Sequence, residues 1–323
     1  MKKTLLIVFA IASMFSLKAQ VKVAYLTDTT TANTPYVNDT KILPMFKADP
    51  NFVVTKIQAT IAGQDLSSYD LIIISEPPGS AAPMVLACKG IDKPILNMKV
   101  FAYKTGTTTW AWVTANSVLI DNATALNEVV YDAAHPIFTG MGVSKGSEIN
   151  MLSAVSYGIG TTTYKGLDGA TSFVITAGKI DTLATIKDAT TGQLSIIEMP
   201  VGLTIGSTTL TKKLIQIGIN SASYANVTPS ALQLIKNAAY YLSGLSITTG
   251  VKNPTTTLGI TQTSKTITVK TQESLNISIY SVSGQRISQV TGNTIPINNL
   301  NKGIYVLRMT NGNGLNQTYK FAK

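Results

Sequence analysis

One cysteine and one histidine are all that the 323 residues offer to thiol and imidazole chemistry. Cys88, being alone, excludes a disulfide within the chain and a cysteine-rich metal site. With His135 the sole imidazole, a zinc site of ordinary type lacks its ligands. Long apolar runs are scarce as well. The one near the amino terminus, Leu5 to Leu17, falls short of the roughly 20 residues that cross a bilayer. No later stretch is long and apolar enough to span, and no internal repeat is present. Acids are missing from one region in particular, since residues 251–323 carry eight basic residues against Glu273 alone.

That imbalance explains most of the formal net charge of +10. The first nineteen residues add three lysines and no acid, whereas residues 20–250 hold fifteen basic and fifteen acidic residues. The central region is therefore neutral and lacks the electrostatic footprint that phosphate backbones require, which argues against nucleic acid as a partner. The basic tail could meet an anionic surface, though scattered lysines on a small β domain are more often solvated edges.

Lys2 and Lys3, the apolar run, and Lys18-Ala19-Gln20 form a basic start, a short hydrophobic stretch and a small-residue exit. This is a signal peptide over residues 1–20, with cleavage expected after Ala19 or Gln20. No cysteine follows, so a lipoprotein anchor is not expected, and the mature chain should be soluble without a membrane span. A domain of about 230 residues can bury roughly 70% of its extended-chain surface and needs no disulfide.

Residues 21–247 alternate strand and helix patterns. Val21–Leu26, Phe52–Ile57, Asp70–Ser75 and Pro94–Met98 read as strands; Ile42, Met45 and Phe46 mark a short helix. The run Leu71-Ile72-Ile73-Ile74 is what a parallel strand covered on both faces requires. After Pro77-Pro78-Gly79, Ser80 is expected to cap a helix bearing Met84, Val85 and Cys88. Residues 101–217 are rich in Thr and Gly and read as a β-rich insertion, with strands at Trp110–Val113, Ser172–Thr176, Leu183–Lys187 and Leu194–Met199. Lys213–Ile219 is a closing strand. Pro229 then opens a helix whose apolar residues recur at helical spacing until Gly244. The fold class is α/β, a flavodoxin-like mostly parallel sheet with a β-rich insertion.

A polar, Thr-rich linker is expected over residues 248–257. Past it the period changes to two, with Ile267 and Val269, then Leu275, Ile277 and Ile279, alternating with polar residues. Residues 258–323 read as a small C-terminal β-sandwich. Gly284 and Gly303 are expected in turns closed to other residues, with Leu300, Tyr305 and Leu307 supplying a buried face.

Asn276–Tyr280, Gly284-Gln285-Arg286, Leu300–Leu307 and Lys320–Lys323 resemble the motif set of the type A C-terminal sorting domain of the type IX (Por) secretion system. The matching motif residues are Tyr280, Gly284, Leu300, Gly303, Tyr305 and Leu307. The resemblance covers about residues 254–323. It implies Sec export, passage across the outer membrane with the secretion machinery as partner, removal of this domain, and a cell-surface or extracellular product.

More weakly, residues 21–244 are similar to glutamine-amidotransferase-like and trehalose-utilisation-like flavodoxin-type domains. The residues that carry this are Tyr69–Ile74, Lys93–Leu96, His135-Pro136-Ile137, the Leu214–Asn220 strand and the Pro229 helix. Such enzymes place a nucleophilic cysteine in a glycine-flanked elbow. Here the corresponding segment is Leu96-Asn97-Met98-Lys99-Val100, and Ile137 stands where the acid of a His-x-Glu pair would be. The resemblance thus implies a lost active site.

No catalytic residue, cofactor or metal is assigned. Cys88 on an apolar helix face reads as a small hydrophobe, and His135 before Pro136 as a turn or capping residue. Trp110 and Trp112 on one strand face read as core, with sugar stacking the alternative. Gly158-Ile159-Gly160 lacks a dinucleotide loop's third glycine. Open parallel sheets bind ligands beyond the carboxyl ends of their strands, which selects Asp28, Glu76, Lys99 and Asn220 as ligand-binding candidates at one rim. A solvated or ion-paired rim is the plainer alternative. The resulting expectation is a non-catalytic surface or extracellular binding protein, with a glycan or other polar molecule as ligand. A hydrolase using the rim carboxylates, and an adhesin or structural surface protein, are the alternatives.

Overall fold

The computed structural model describes residues 20–28, 39–122, 124–154, 164–187, 193–247, 259–271, 274–282, 284–310 and 316–323. Of the expected signal peptide only Gln20 falls within them, and the expected linker lies outside them. The chain divides into two compact units, Met1–Thr249 and Gly250–Lys323.

In the first unit, β1 (Val21–Thr27), β2 (Phe52–Gln58), β3 (Leu71–Ile74) and β4 (Ile95–Asn97) pair in the order β2-β1-β3-β4, all parallel. The chain continues through β5 (Leu119–Asn122), β6 (Asn127–Val130), β7 (Glu148–Asn150), β8 (Tyr164–Leu167), β9 (Ile175–Ala177), β10 (Asp181–Ile186) and β11 (Leu194–Met199). The short β12 (Thr204–Ile205) and β13 (Thr208–Thr209) follow, then β14 (Leu214–Ile217). β14 lies parallel to β4 on one side and antiparallel to β11 on the other, and β10, β6 and β7 extend the sheet antiparallel. The sheet is therefore mixed and eleven-stranded. This corrects the expectation of a mostly parallel sheet, because the inserted strands continue the main sheet instead of standing apart from it. The physical reason is connection length. A strand returns parallel only after a crossover of a dozen or more residues, and only the seven residues 187–193 join β10 to β11.

The four residues of β3 are completely buried, and they alternate between two hydrophobic clusters. Leu71 and Ile73 face the cluster that includes Leu234 and Ile235 of the Pro229–Leu242 helix. Ile72 and Ile74 face the cluster of Met84, Val85, Trp110 and Trp112. Each such aliphatic side chain contributes about 1.5–3 kcal/mol by leaving water. The long helix begins with Pro229 at its first position, and the Thr228 hydroxyl accepts from Ala231 N–H at 3.1 Å. It ends before Gly244, whose φ of +66° favours glycine.

Two local expectations are corrected. Ser80 does not cap a helix: the helix spans Pro83–Ala87, opens after an extended Ala82 with no side-chain cap, and uses Pro83 to pre-set φ. Trp110–Val113 is not a strand. Ala111 adopts φ +53° and breaks any extended run, while Trp110 donates to the Val85 carbonyl at 2.8 Å. Trp112 stacks on Tyr103 with ring centroids 5.6 Å apart. Both indoles are core, not a sugar platform.

The second unit holds β15 (Gly259–Gln262), β16 (Thr266–Lys270), β17 (Leu275–Ser281), β18 (Arg286–Gly292), β19 (Thr294–Pro296), β20 (Ile304–Thr310) and β21 (Asn316–Ala322). They form two antiparallel sheets, β15-β16-β19 and β18-β17-β20-β21. One hydrophobic cluster draws on both, including Ile267, Val269, Ile277, Ile279, Leu307 and Met309. Leu300 packs against it and Tyr305 belongs to it. Gly284 adopts φ +85°, a conformation that favours glycine. Gly303 does not; its α-carbon faces the Tyr305 ring, where an added Cβ would stand at an ordinary 3.6 Å. The conformational role expected of Gly303 is therefore absent, because its backbone is tied flat to Lys323 by two main-chain hydrogen bonds.

Candidate functional site

The parallel strands β1, β3, β4 and β14 end on one edge of the sheet, and all four rim candidates are buried there: Asp28 at 3%, Glu76 at 4%, Lys99 at 7% and Asn220 at 6% exposure. Glu76 and Lys99 are brought together. The Lys99 ammonium lies 3.0 Å from Glu76 Oε1 and donates to the Glu76 carbonyl at 2.7 Å. Asn97 positions this lysine, accepting from Lys99 N–H at 2.9 Å and donating to Tyr103 OH at 2.9 Å.

Asn220 acts locally. Its Oδ1 accepts from Ala222 N–H at 3.0 Å and caps the 3-10 turn Ser221–Asn226. That turn delivers two groups which sequence reasoning missed. Ser221 Oγ donates to Glu76 Oε2 at 2.6 Å, and Tyr224 OH accepts from Glu76 N–H at 2.9 Å. Asp28 takes a different partner, accepting from Gln58 Nε2 at 2.8 Å. Nearby on β1, Tyr25 donates to Asp39, which also caps the Ile42–Lys47 helix by accepting from Ile42 N–H at 2.7 Å. Burial raises the pKa values of Tyr25, Tyr224 and Asp39; for Asp39 the Tyr25 hydrogen bond opposes it, and for both tyrosines the Asp39 charge adds to it.

Both Glu76 carboxyl oxygens are thus engaged. An ion pair of this kind is expensive to break, since removal of one partner leaves a buried charge at a cost of about 3–5 kcal/mol. Chemically the rim is a polar, pre-ordered floor of hydroxyl, carboxylate and ammonium groups. The signal for Ser221 and Tyr224 lay in the sequence, directly after the closing strand at Asn220.

A second polar cluster occupies the opposite end, where β14 begins. His135 Nε2 lies 2.5 Å from Glu198 Oε2, and Lys213 Nζ lies 3.1 Å from Glu198 Oε1. Tyr241 OH donates to the same oxygen at 3.3 Å, and its ring meets the His135 ring edge-on at 4.8 Å. Burial favours the protonated Glu198, but hydrogen bonds from His135 and Lys213 outweigh it and hold the pKa below the ordinary value. His135 also caps the 3-10 turn Pro136–Phe138 through Nδ1, as expected of a capping residue. Its pairing with Glu198 was missed; an acid inside the apolar run of β11 was the available signal. Cys88 is buried at the end of the Pro83–Ala87 helix, and burial pushes its thiol up to about 12. Among the described residues no group of three or more His, Cys, Asp or Glu could hold a metal, and no helix is long and apolar enough to cross a membrane.

Residues 263–323 match the secretion system C-terminal sorting domain. The sorting domain marks the chain as type IX cargo, exported to the cell surface or the extracellular space. No curated protein matches the chain. Among solved structures, a ThuA-like protein from Parabacteroides merdae is similar, with a TM-score of 0.35 and 10% identity over 72% of this chain and 94% of that one.

Proposed function

We propose that this type IX cargo enters the export route through a signal peptide at residues 1–20 and works outside the cell as a non-catalytic binding protein. Its α/β unit would hold a polar, glycan-type ligand at the Glu76–Lys99 rim. The observation that carries the reading is Lys99 itself. It lies in Leu96–Val100, the segment that the resemblance matches to an amidotransferase-like elbow, with φ −93° and ψ 73°, outside the left-handed region, and its ammonium bonded to Glu76. The supporting facts are the engaged Glu76 oxygens, the buried Cys88 thiol, and a histidine at the far end of the sheet.

The test uses purified residues 20–323, screened against neutral glycans and peptides beside amide, ester and glycoside hydrolysis assays. Saturable binding without turnover is expected, weakened about tenfold or more in Ser221→Ala and Glu76→Gln, a loss of roughly 1.4 kcal/mol. Turnover abolished by Glu76→Gln would transfer the rim to a hydrolase. Absence of any binding would favour an adhesin.

A further inference from the structure

We infer that the sorting domain carries its own binding site for an anionic saccharide, on the outer face of its four-stranded sheet. The proposal concerns a different unit and stands independently of the reading of the rim. The chain contains two arginines, Arg286 and Arg308, and both line one groove of about 290 Å³. The groove runs over β17 between its neighbours β18 and β20. In register, Ser278 of β17 faces Gln289 on one side and Arg308 on the other, while Tyr280 faces Arg286. With strands about 4.8 Å apart, the two arginine α-carbons stand roughly 12 Å apart diagonally across the groove. Side chains of that length span such a gap from both sides.

The composition of the groove selects its ligand. Guanidinium groups present paired N–H donors that match carboxylate and phosphate oxygens. Asn276, Ser278 and Gln289 line the same groove and offer amide and hydroxyl partners for sugar hydroxyls. Tyr280, half-buried, also lines the groove, and an aromatic residue there suits the apolar face of a sugar ring. Among the described residues no acidic side chain lines the groove, and residues 251–323 contain only Glu273. An extended acidic peptide fits less well. Strand-like peptides bind by main-chain pairing at a sheet edge, whereas this groove lies on a face where the β17 main chain is already paired on both sides. The alternation of β17 gives Asn276, Ser278 and Tyr280 no core role, since Leu275, Ile277 and Ile279 fill the core.

The charge could belong to a hexuronate or to a sugar phosphate, and the test separates them. Residues 20–323, produced without export, are titrated calorimetrically with trigalacturonate, mannose 6-phosphate, neutral galactotriose and a glutamate-rich peptide. Arg286→Gln and Arg308→Gln are compared with Lys270→Gln, which removes the same charge from the exposed end of β16. Saturable binding of one anionic saccharide is expected, reduced about tenfold or more by either arginine change and unaltered by Lys270→Gln. Stronger binding by trigalacturonate assigns the carboxylate, and stronger binding by mannose 6-phosphate assigns the phosphate. Equal losses in all three variants, equal binding of galactotriose, tighter binding of the peptide, or no saturable binding of either anionic probe would each overturn the proposal.

Discussion

Glu128→Gln should raise the stability of the α/β unit at alkaline pH and leave it nearly unchanged in acid. Glu128 sits on β6 between Ile149 of β7 and Ile186 of β10 and is 1% exposed. Among the described residues neither carboxyl oxygen has a hydrogen-bond partner. Burial pushes the pKa from 4.5 to about 8, with the Ser195 hydroxyl acting in the opposite direction. Below the lower value both folded and unfolded chains hold the proton, so no penalty exists. Between the two values the unfolded chain loses a proton that the folded chain keeps, and stability falls as pH rises. Above the upper value the full penalty applies, roughly 5 kcal/mol as a ceiling. Folded domains have about 5–15 kcal/mol in total, so the effect is large. Urea unfolding from pH 4 to pH 9, followed by tryptophan fluorescence, measures it. Trp110 and Trp112 are the chain's two tryptophans and both are buried in this unit, so the signal ignores the sorting domain. Wild-type and variant midpoints that run parallel across the range, or a gap that widens toward acid, would refute the reasoning.

Glu198 should behave in the opposite sense. Its folded pKa is depressed, so its contribution is present above the ordinary carboxylate range and disappears as pH falls through the folded value. Glu198→Gln should cost about 2–4 kcal/mol at neutral pH and progressively less in acid, read by the same urea titration. Cys88, with its thiol pushed up to about 12, should resist a disulfide reagent in the native protein at pH 8 and react fully in urea; rapid native labelling would contradict its burial. Deletion of residues 259–323 should leave the remaining chain inside the outer membrane, as fractionation and immunoblotting would show, and surface display of the truncated chain would contradict the sorting assignment.

Those parts of the fold that local chemistry dictates were legible. The aliphatic run of β3 required cover on both faces and has it, and the Pro229 helix announced its first turn, its apolar stripe and its glycine stop. The period of two in residues 259–310 matched alternating burial in β17 and β20. Pairing between distant strands was not legible. Whether β11 continues the sheet beside β14 depends on long-range register, which leaves no local mark in Leu194–Met199. Ala111 at φ +53° defeated a strand expectation drawn from β-forming tryptophans, because packing against Tyr103 and Val85 overrode propensity. The rim was half legible: Glu76 and Lys99 came from strand ends, while Ser221 and Tyr224 needed the shape of a 3-10 turn. His135 and Glu198 are 63 residues apart, and only the folded chain makes them a pair.

β14 is the last strand of its sheet in chain order, yet it closes the gap between β4 and β11 near the middle. Until Leu214–Ile217 arrives, the unit is two leaves with bare facing margins, and its longest helix has not yet followed. A chain made from its amino end thus lacks its keystone until most of the unit exists. The arrangement postpones closure of the sheet to the last part of the unit.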